Sequence, residues 1–177
     1  MGRKLLVLGA AVTAVLLLAV AASGEDEPVV AKAFAVVKDA SGKEVGRATF
    51  SATPSGTLID LSLTGISPGV HAVHIHAAGK CEPPDFKSAG PHFNPDQTKH
   101  GMMSPEGPHA GDLPNVHVPA DGKVEVEFLN PIVTIGQEAA LLDADGSALV
   151  IHAGPDDYKT DPAGNSGDRI ACGVITR

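Results

Sequence analysis

The strongest restriction on the fold is a period of two. From residue 29 onward the chain advances in short runs whose apolar residues recur at alternate positions, and no run sustains a helical repeat. In TLIDLSLTG (57–65), Ile59, Leu61 and Leu63 share a face, with Asp60 and Ser62 opposite. In KVEVEF (123–128), Val124, Val126 and Phe128 point one way and Glu125 and Glu127 the other. VVAKAFAVVK (29–38), GRATFSA (46–52), ALVIHA (148–153) and RIACGVI (169–175) read as further strands. Ser41-Gly42, Pro54-Ser55-Gly56, Ser67-Pro68-Gly69, Asp121-Gly122 and Asp145-Gly146 punctuate them. Many short strands with such turns predict an all-β fold, an antiparallel sandwich or barrel. The chain of 177 residues suits one domain, and neither a repeat nor a second domain is legible.

The first 24 residues read differently. Arg3 and Lys4 precede an almost wholly apolar run, Leu5 to Val20, and small residues follow through Gly24. This is the pattern of a secretory signal peptide over 1–24, leaving a domain over 25–177. The run is close to the shortest that spans a bilayer, so an uncleaved anchor is the rival reading, and membrane contact is expected only in that case. Removing Arg3 and Lys4 takes the formal charge from −8 to −10. So acidic a domain is not expected to bind nucleic acid or an anionic membrane surface. In an exported chain the two cysteines, Cys81 and Cys172, read as a disulfide, the alternative being two separate buried thiols. Closing a loop of that length contributes about 4 to 5 kcal/mol in the chain-entropy view.

Two long polar segments, about 78–115 and 154–168, break the strand rhythm. Structureless loops of this length are uncommon unless functional. His74 and His76 lie two apart on a run that reads as a strand, so both project from one face, with Val73 and Ile75 opposite. Two neutral imidazoles so placed are satisfied by one metal ion. His92, His100, His109 and Asp112 follow at gaps of eight, nine and three, and three imidazoles with one carboxylate form a tetrahedral set suited to zinc. His152 ends the strand ALVIH.

Taken together, GVHAVHIHAAGKC, SAGPHFNP, KHG, HAGDLPN, VIHAGPDDY and GNSGDRIACGVI closely resemble the copper/zinc superoxide dismutases, over nearly all of residues 30–177. The resemblance implies an eight-stranded Greek-key β-barrel with two long functional loops. It implies dismutation of superoxide to oxygen and hydrogen peroxide by a copper ion cycling between two oxidation states. His74, His76, His92 and His152 would bind copper, and His92, His100, His109 and Asp112 zinc, with His92 shared and carrying a proton during turnover. Asp156 would link His74 to His100, Arg169 would stand above the copper, and Cys81 would pair with Cys172. Four nitrogens near a plane suit Cu(II), and an N₃O tetrahedron suits Zn(II). His71 is expected to be a buried structural histidine and His117 a surface strand residue.

The second loop is shorter than in animal members and lacks their charged run, for which Lys159 is read as a partial substitute. EPPDFK (82–87) resembles an insertion of bacterial members. With the leader, this points to an exported protein, periplasmic or extracellular. A homodimer stays open, because bacterial and animal members assemble through different surfaces. The alternative function is a non-catalytic, copper-handling member of the fold; such relatives lack some copper ligands or the arginine, and this chain has them all.

Overall fold

The computed structural model describes residue 2 and residues 31–135 and 140–177. Apart from residue 2, the predicted leader lies outside the described residues, as does the start of the first predicted strand. Nine strand segments are present: β1 Lys32–Asp39, β2 Glu44–Thr53, β3 Gly56–Thr64, β4 Gly69–His71, β5 Val73–His76, β6 Val116–Val118, β7 Lys123–Asn130, β8 Ser147–His152 and β9 Arg169–Thr176. β4 and β5 are one run divided at Ala72, so the segments amount to the eight expected strands. Two single 3-10 turns, Lys87–Ala89 and Ala140–Leu142, are the only helical elements among the described residues.

Seven strands form one antiparallel sheet in the order β5-β8-β9-β1-β2-β3-β7, and β4 pairs with β6. The sheet curls into a barrel. β4 continues β5 at one edge and β6 leads into β7 at the other, so the β4–β6 pair joins the two edges. Alternation decides what the barrel encloses. Ala33, Ala35 and Val37 of β1, Phe50 of β2 and Ile59, Leu61 and Leu63 of β3 fill one continuous core, with Val124 and Val126 of β7 packed against it. The intervening residues of these strands face solvent.

β5 and β8 depart from this pattern, being buried at every position. Val73, Ile75, Leu149 and Ile151 supply the core face. The opposite face is covered by the two long loops. Backbone bonds Ile75 N–H to Gly111 O (2.8 Å) and Phe93 N–H to Ile75 O (2.8 Å) lay the first loop along the free side of β5. A polar loop can cover a strand only if its own polar groups are satisfied there, and that constraint leads to the histidines.

Candidate metal centre

The loop segments bonded to β5 set the registers His76 opposite His92 and His74 opposite Asp112. On its other side β5 pairs with β8, and the end of β8 is held by His152 N–H donating to Ala72 O (2.9 Å). Three segments remote in sequence therefore meet over one face of β5. Ring centroids lie 4.1 Å apart for His74–His92, 4.9 Å for His76–His92 and His74–His152, and 5.7 Å for His76–His152. On the far side of His92, the rings of His100 and His109 lie 5.2 and 5.4 Å from it. Donor atoms converge within 4.8 Å in two sets of four, His74-His76-His92-His152 and His92-His100-His109-Asp112, and in a set of three, His74-His100-Asp156.

Each ring in the first set is oriented by one nitrogen. His74 donates from Nε2 to Asp156 Oδ2 (2.8 Å), His76 from Nδ1 to Gly90 O (2.9 Å), and His152 from Nδ1 to Gly167 O (3.2 Å), with Ser166 Oγ 3.1 Å from the same nitrogen. The opposite nitrogens, Nδ1 of His74 and Nε2 of His76, His92 and His152, are buried without a hydrogen-bond partner, as is Nδ1 of His100. Orphaned buried acceptors are costly, and the four of the first set have a simple resolution: their lone pairs serve as ligands. In the second set His92 Nδ1 lies 2.9 Å from Asp112 Oδ1 and 3.3 Å from His109 Nδ1, and His100 Nδ1 lies 3.1 Å from Asp112 Oδ1. Ring nitrogens and a carboxylate packed so closely are compatible when a cation lies among them. The donor sets thus fit copper and zinc.

Electrostatics separates the two sides. Burial is the largest influence on His74, His76 and His152 and lowers them to about 4, 2 and 3 from an ordinary 6.5, so these rings are neutral and ready to ligate. His109 is likewise lowered, chiefly by burial. His100 is also buried, but the Asp112 and Asp156 carboxylates beside its ring outweigh desolvation and raise it to about 9. Burial alone would raise the carboxyls of Asp112 and Asp156, yet the histidine hydrogen bonds hold both well below the usual range.

Asp156 joins the two sets. Its Oδ1 accepts from His100 Nε2 (2.9 Å) while Oδ2 accepts from His74. Its backbone is clamped by Asn115, which donates to Asp156 O (2.9 Å) and accepts from Asp156 N–H (2.8 Å). Gly164, at φ +63°, presses on the carboxylate, and a Cβ there would collide with Asp156 Oδ1 and lie 2.7 Å from His100 Nε2.

Arg169, half-buried, donates from Nη1 to Phe86 O (2.9 Å) and from Nη2 to Gly90 O (2.8 Å), the carbonyl that also orients His76. It lines a groove of about 720 Å³ with Asp85, Lys87 and Asp168. Cys81 and Cys172 are disulfide-bonded, tying the first loop to β9. His71 is buried, its ring between His152 O (2.8 Å) and Ser67 O (2.9 Å), while His117 is exposed on β6. Lys159 is exposed, and its amide N–H donates to the Asp157 carboxylate.

Sequence reasoning did not single out Asn115, Ser166 or Asp161. Asn115 ends the HAGDLPN motif, which is a signal of its role. Ser166 and Asp161 sit in an unpatterned polar loop that offers none. Asp161 accepts from His100 N–H and pairs with Lys99, and these contacts, the amide first, hold its carboxyl below the usual range.

Comparison with known proteins agrees with this site. The family pattern described as "Copper/zinc superoxide dismutase (SODC)" matches residues 44–175. A copper/zinc superoxide dismutase of Aquifex aeolicus is 53% identical over 147 residues, covering 81% of this chain and 87% of that protein. One of Caulobacter vibrioides is 49% identical over 147 residues, covering 81% and 84%. Among solved structures, a superoxide dismutase-like protein from Bacillus subtilis superposes with a TM-score of 0.77 at 42% identity, covering 80% of this chain and 96% of that one. The copper/zinc superoxide dismutase from Brucella abortus gives 0.67 at 32% identity, covering 81% and 98%. With the greater part of its length matched by that pattern and by relatives about half identical, this chain belongs to the copper/zinc superoxide dismutase family.

Proposed function

We propose that this protein converts two superoxide ions and two protons into oxygen and hydrogen peroxide, with copper held by His74, His76, His92 and His152 and zinc by His92, His100, His109 and Asp112. One observation carries the reading. His92 belongs to both donor sets, with Nδ1 turned to Asp112 and His109 and Nε2 buried and unpartnered.

Copper, when bound, supplies a one-electron couple that alternately oxidises and reduces superoxide. The residues do the rest. Arg169, which shares the Gly90 carbonyl with His76, presents a fixed positive charge beside the copper set and attracts and orients the anion. His92, whose Nε2 is buried and unpartnered, would hold and deliver one of the two protons that hydrogen peroxide needs, and solvent would supply the other. Asp156 keeps His74 and His100 in the tautomers that turn their free nitrogens to the metals. The zinc set fixes His92 and tunes its basicity without redox chemistry of its own.

The disulfide supports a protein that works outside the reducing cytosol. With the apolar leader, it supports export to the periplasm or the cell exterior and removal of residues 1–24. Metal content of the purified protein, measured beside dismutase activity with and without added copper, tests the function. About one copper and one zinc per chain, with activity tracking copper, is the expected result. Copper bound stoichiometrically without activity would sink it.

A further inference from the structure

Asp161 belongs to the second loop but works on the first. Its Oδ1 accepts from the main-chain N–H of His100 at 2.9 Å, and its Oδ2 lies 3.2 Å from Lys99 Nζ. The same Oδ1 stands 3.9 Å from Nε2 of His109. That is the ring nitrogen opposite Nδ1, which faces His92 and Asp112. One carboxylate thus touches or faces two of the four residues of the second donor set.

We propose that Asp161 is a positioning residue for zinc: it holds the His100 backbone and sets a negative charge behind the outer nitrogen of His109. This rests on assigning zinc to that donor set. An anion behind the outer N–H of an imidazole fixes its tautomer and makes the inner nitrogen a better ligand. Folding of the second loop does not call for Asp161. Asp157 already organises that loop, accepting from Lys159 N–H, Thr160 N–H, Thr160 Oγ and Asn165 Nδ2. Nor does the ion pair with Lys99 explain it, since both side chains are about half exposed and such pairs add little.

The test uses the full zinc-loaded protein and a chromophoric chelator that competes for zinc, together with the visible spectrum of Co(II) placed in the zinc set. Asp161→Ala should surrender zinc roughly 10- to 100-fold more readily, as loss of a ligand's outer partner usually does, and should shift the Co(II) bands. Asp161→Asn keeps an oxygen for the His100 N–H but loses the charge facing His109, so it should fall between. Lys99→Ala should match wild type in both readouts. Wild-type zinc retention in both Asp161 variants would overturn the proposal, as would Lys99→Ala reproducing the loss. If Asp161→Ala does not fold, Asp161→Asn decides alone, wild-type retention counting against. A wild-type protein that takes up no zinc would instead overturn the zinc assignment, and the proposal with it.

Discussion

At the scale of single residues, His74, His76, His92, His100 and His152 are each held at one ring nitrogen and buried without a hydrogen-bond partner at the other. That economy depends on small groups packed behind the rings. Gly164 is one, with no room for a Cβ beside Asp156 and His100. Gly164→Ala should loosen the Asp156 link and weaken retention of both metals by about 10-fold, at the low end for such outer contacts; equilibrium dialysis against a chelator measures it. Burial of the rings also has a consequence for the metal-free protein. Folded, His74, His76 and His152 stay neutral down to about 4, 2 and 3, whereas unfolded they take up protons near 6.5. Stability from these rings is therefore whole above pH 6.5 and declines as the pH falls toward 4. His100 acts oppositely: raised to about 9, it stabilises the fold below 6.5 and loses that effect as pH rises through 9. The metal-free protein should be most stable near neutrality, with a thermal midpoint lower by about 5 °C or more at pH 5. With metals bound the decline should shrink, because ligated nitrogens cannot take a proton. Calorimetry on both forms from pH 5 to 9 gives the comparison.

At the scale of elements, alternation made the core strands legible, and the same rule marks the site where it fails. β5 and β8 are buried on both faces because loops cover the face away from the core. In the sequence this shows as ALVIH, apolar on both faces until His152, and as VHIH, whose outward positions are both histidine. The motif segments were legible for a similar reason, since ligand chemistry restricts residue type at each position. Contacts made by backbone atoms were not. Nothing in the sequence tells that Arg169 rests on the carbonyls of Phe86 and Gly90, because a carbonyl leaves no side-chain trace. Nor does it tell that the run through β4 and β5 breaks at Ala72, whose N–H donates to Gly154 O in the other loop. The segment between Cys81 and Gly90 is the element whose placement matters most here, as it carries both carbonyls and is tethered by the disulfide. Replacing both cysteines by serine should cost about 2–5 kcal/mol of stability, read from the denaturant midpoint. Turnover should fall as well, because Arg169 then rests on a loosened segment. Full turnover in the folded double variant would separate the tether from the site.

At the scale of the whole molecule, charge and substrate are at odds: a chain of net charge −8 is assigned an anion. Net charge governs the far field, but charges farther than a Debye length of about 10 Å are screened at 0.1 M salt. What guides superoxide is the local potential where it meets the copper set, and there Arg169 shares the Gly90 carbonyl with His76. In the groove beside it Lys87 is paired with Asp85 at 2.8 Å, and Asp39 and Asp168 also line that groove, so the positive charge at the metal site itself comes from Arg169. Arg169 donates to the carbonyls of Phe86 and Gly90, which carry no formal charge and leave its own intact. Turnover should therefore fall with added salt in the wild type, as ions screen an attraction and not a repulsion. Arg169→Gln should slow kcat/KM by about tenfold, the low end for local field focusing, and flatten the salt dependence. Both metals should stay, because Gly90 O still accepts from His76 Nδ1 when the guanidinium is gone. Stopped-flow superoxide decay across an ionic-strength series, with metal analysis of each sample, distinguishes the cases. A wild-type salt slope surviving in Arg169→Gln would mean that the bound metals alone provide the field, and that the arginine serves only to brace the loop beneath it.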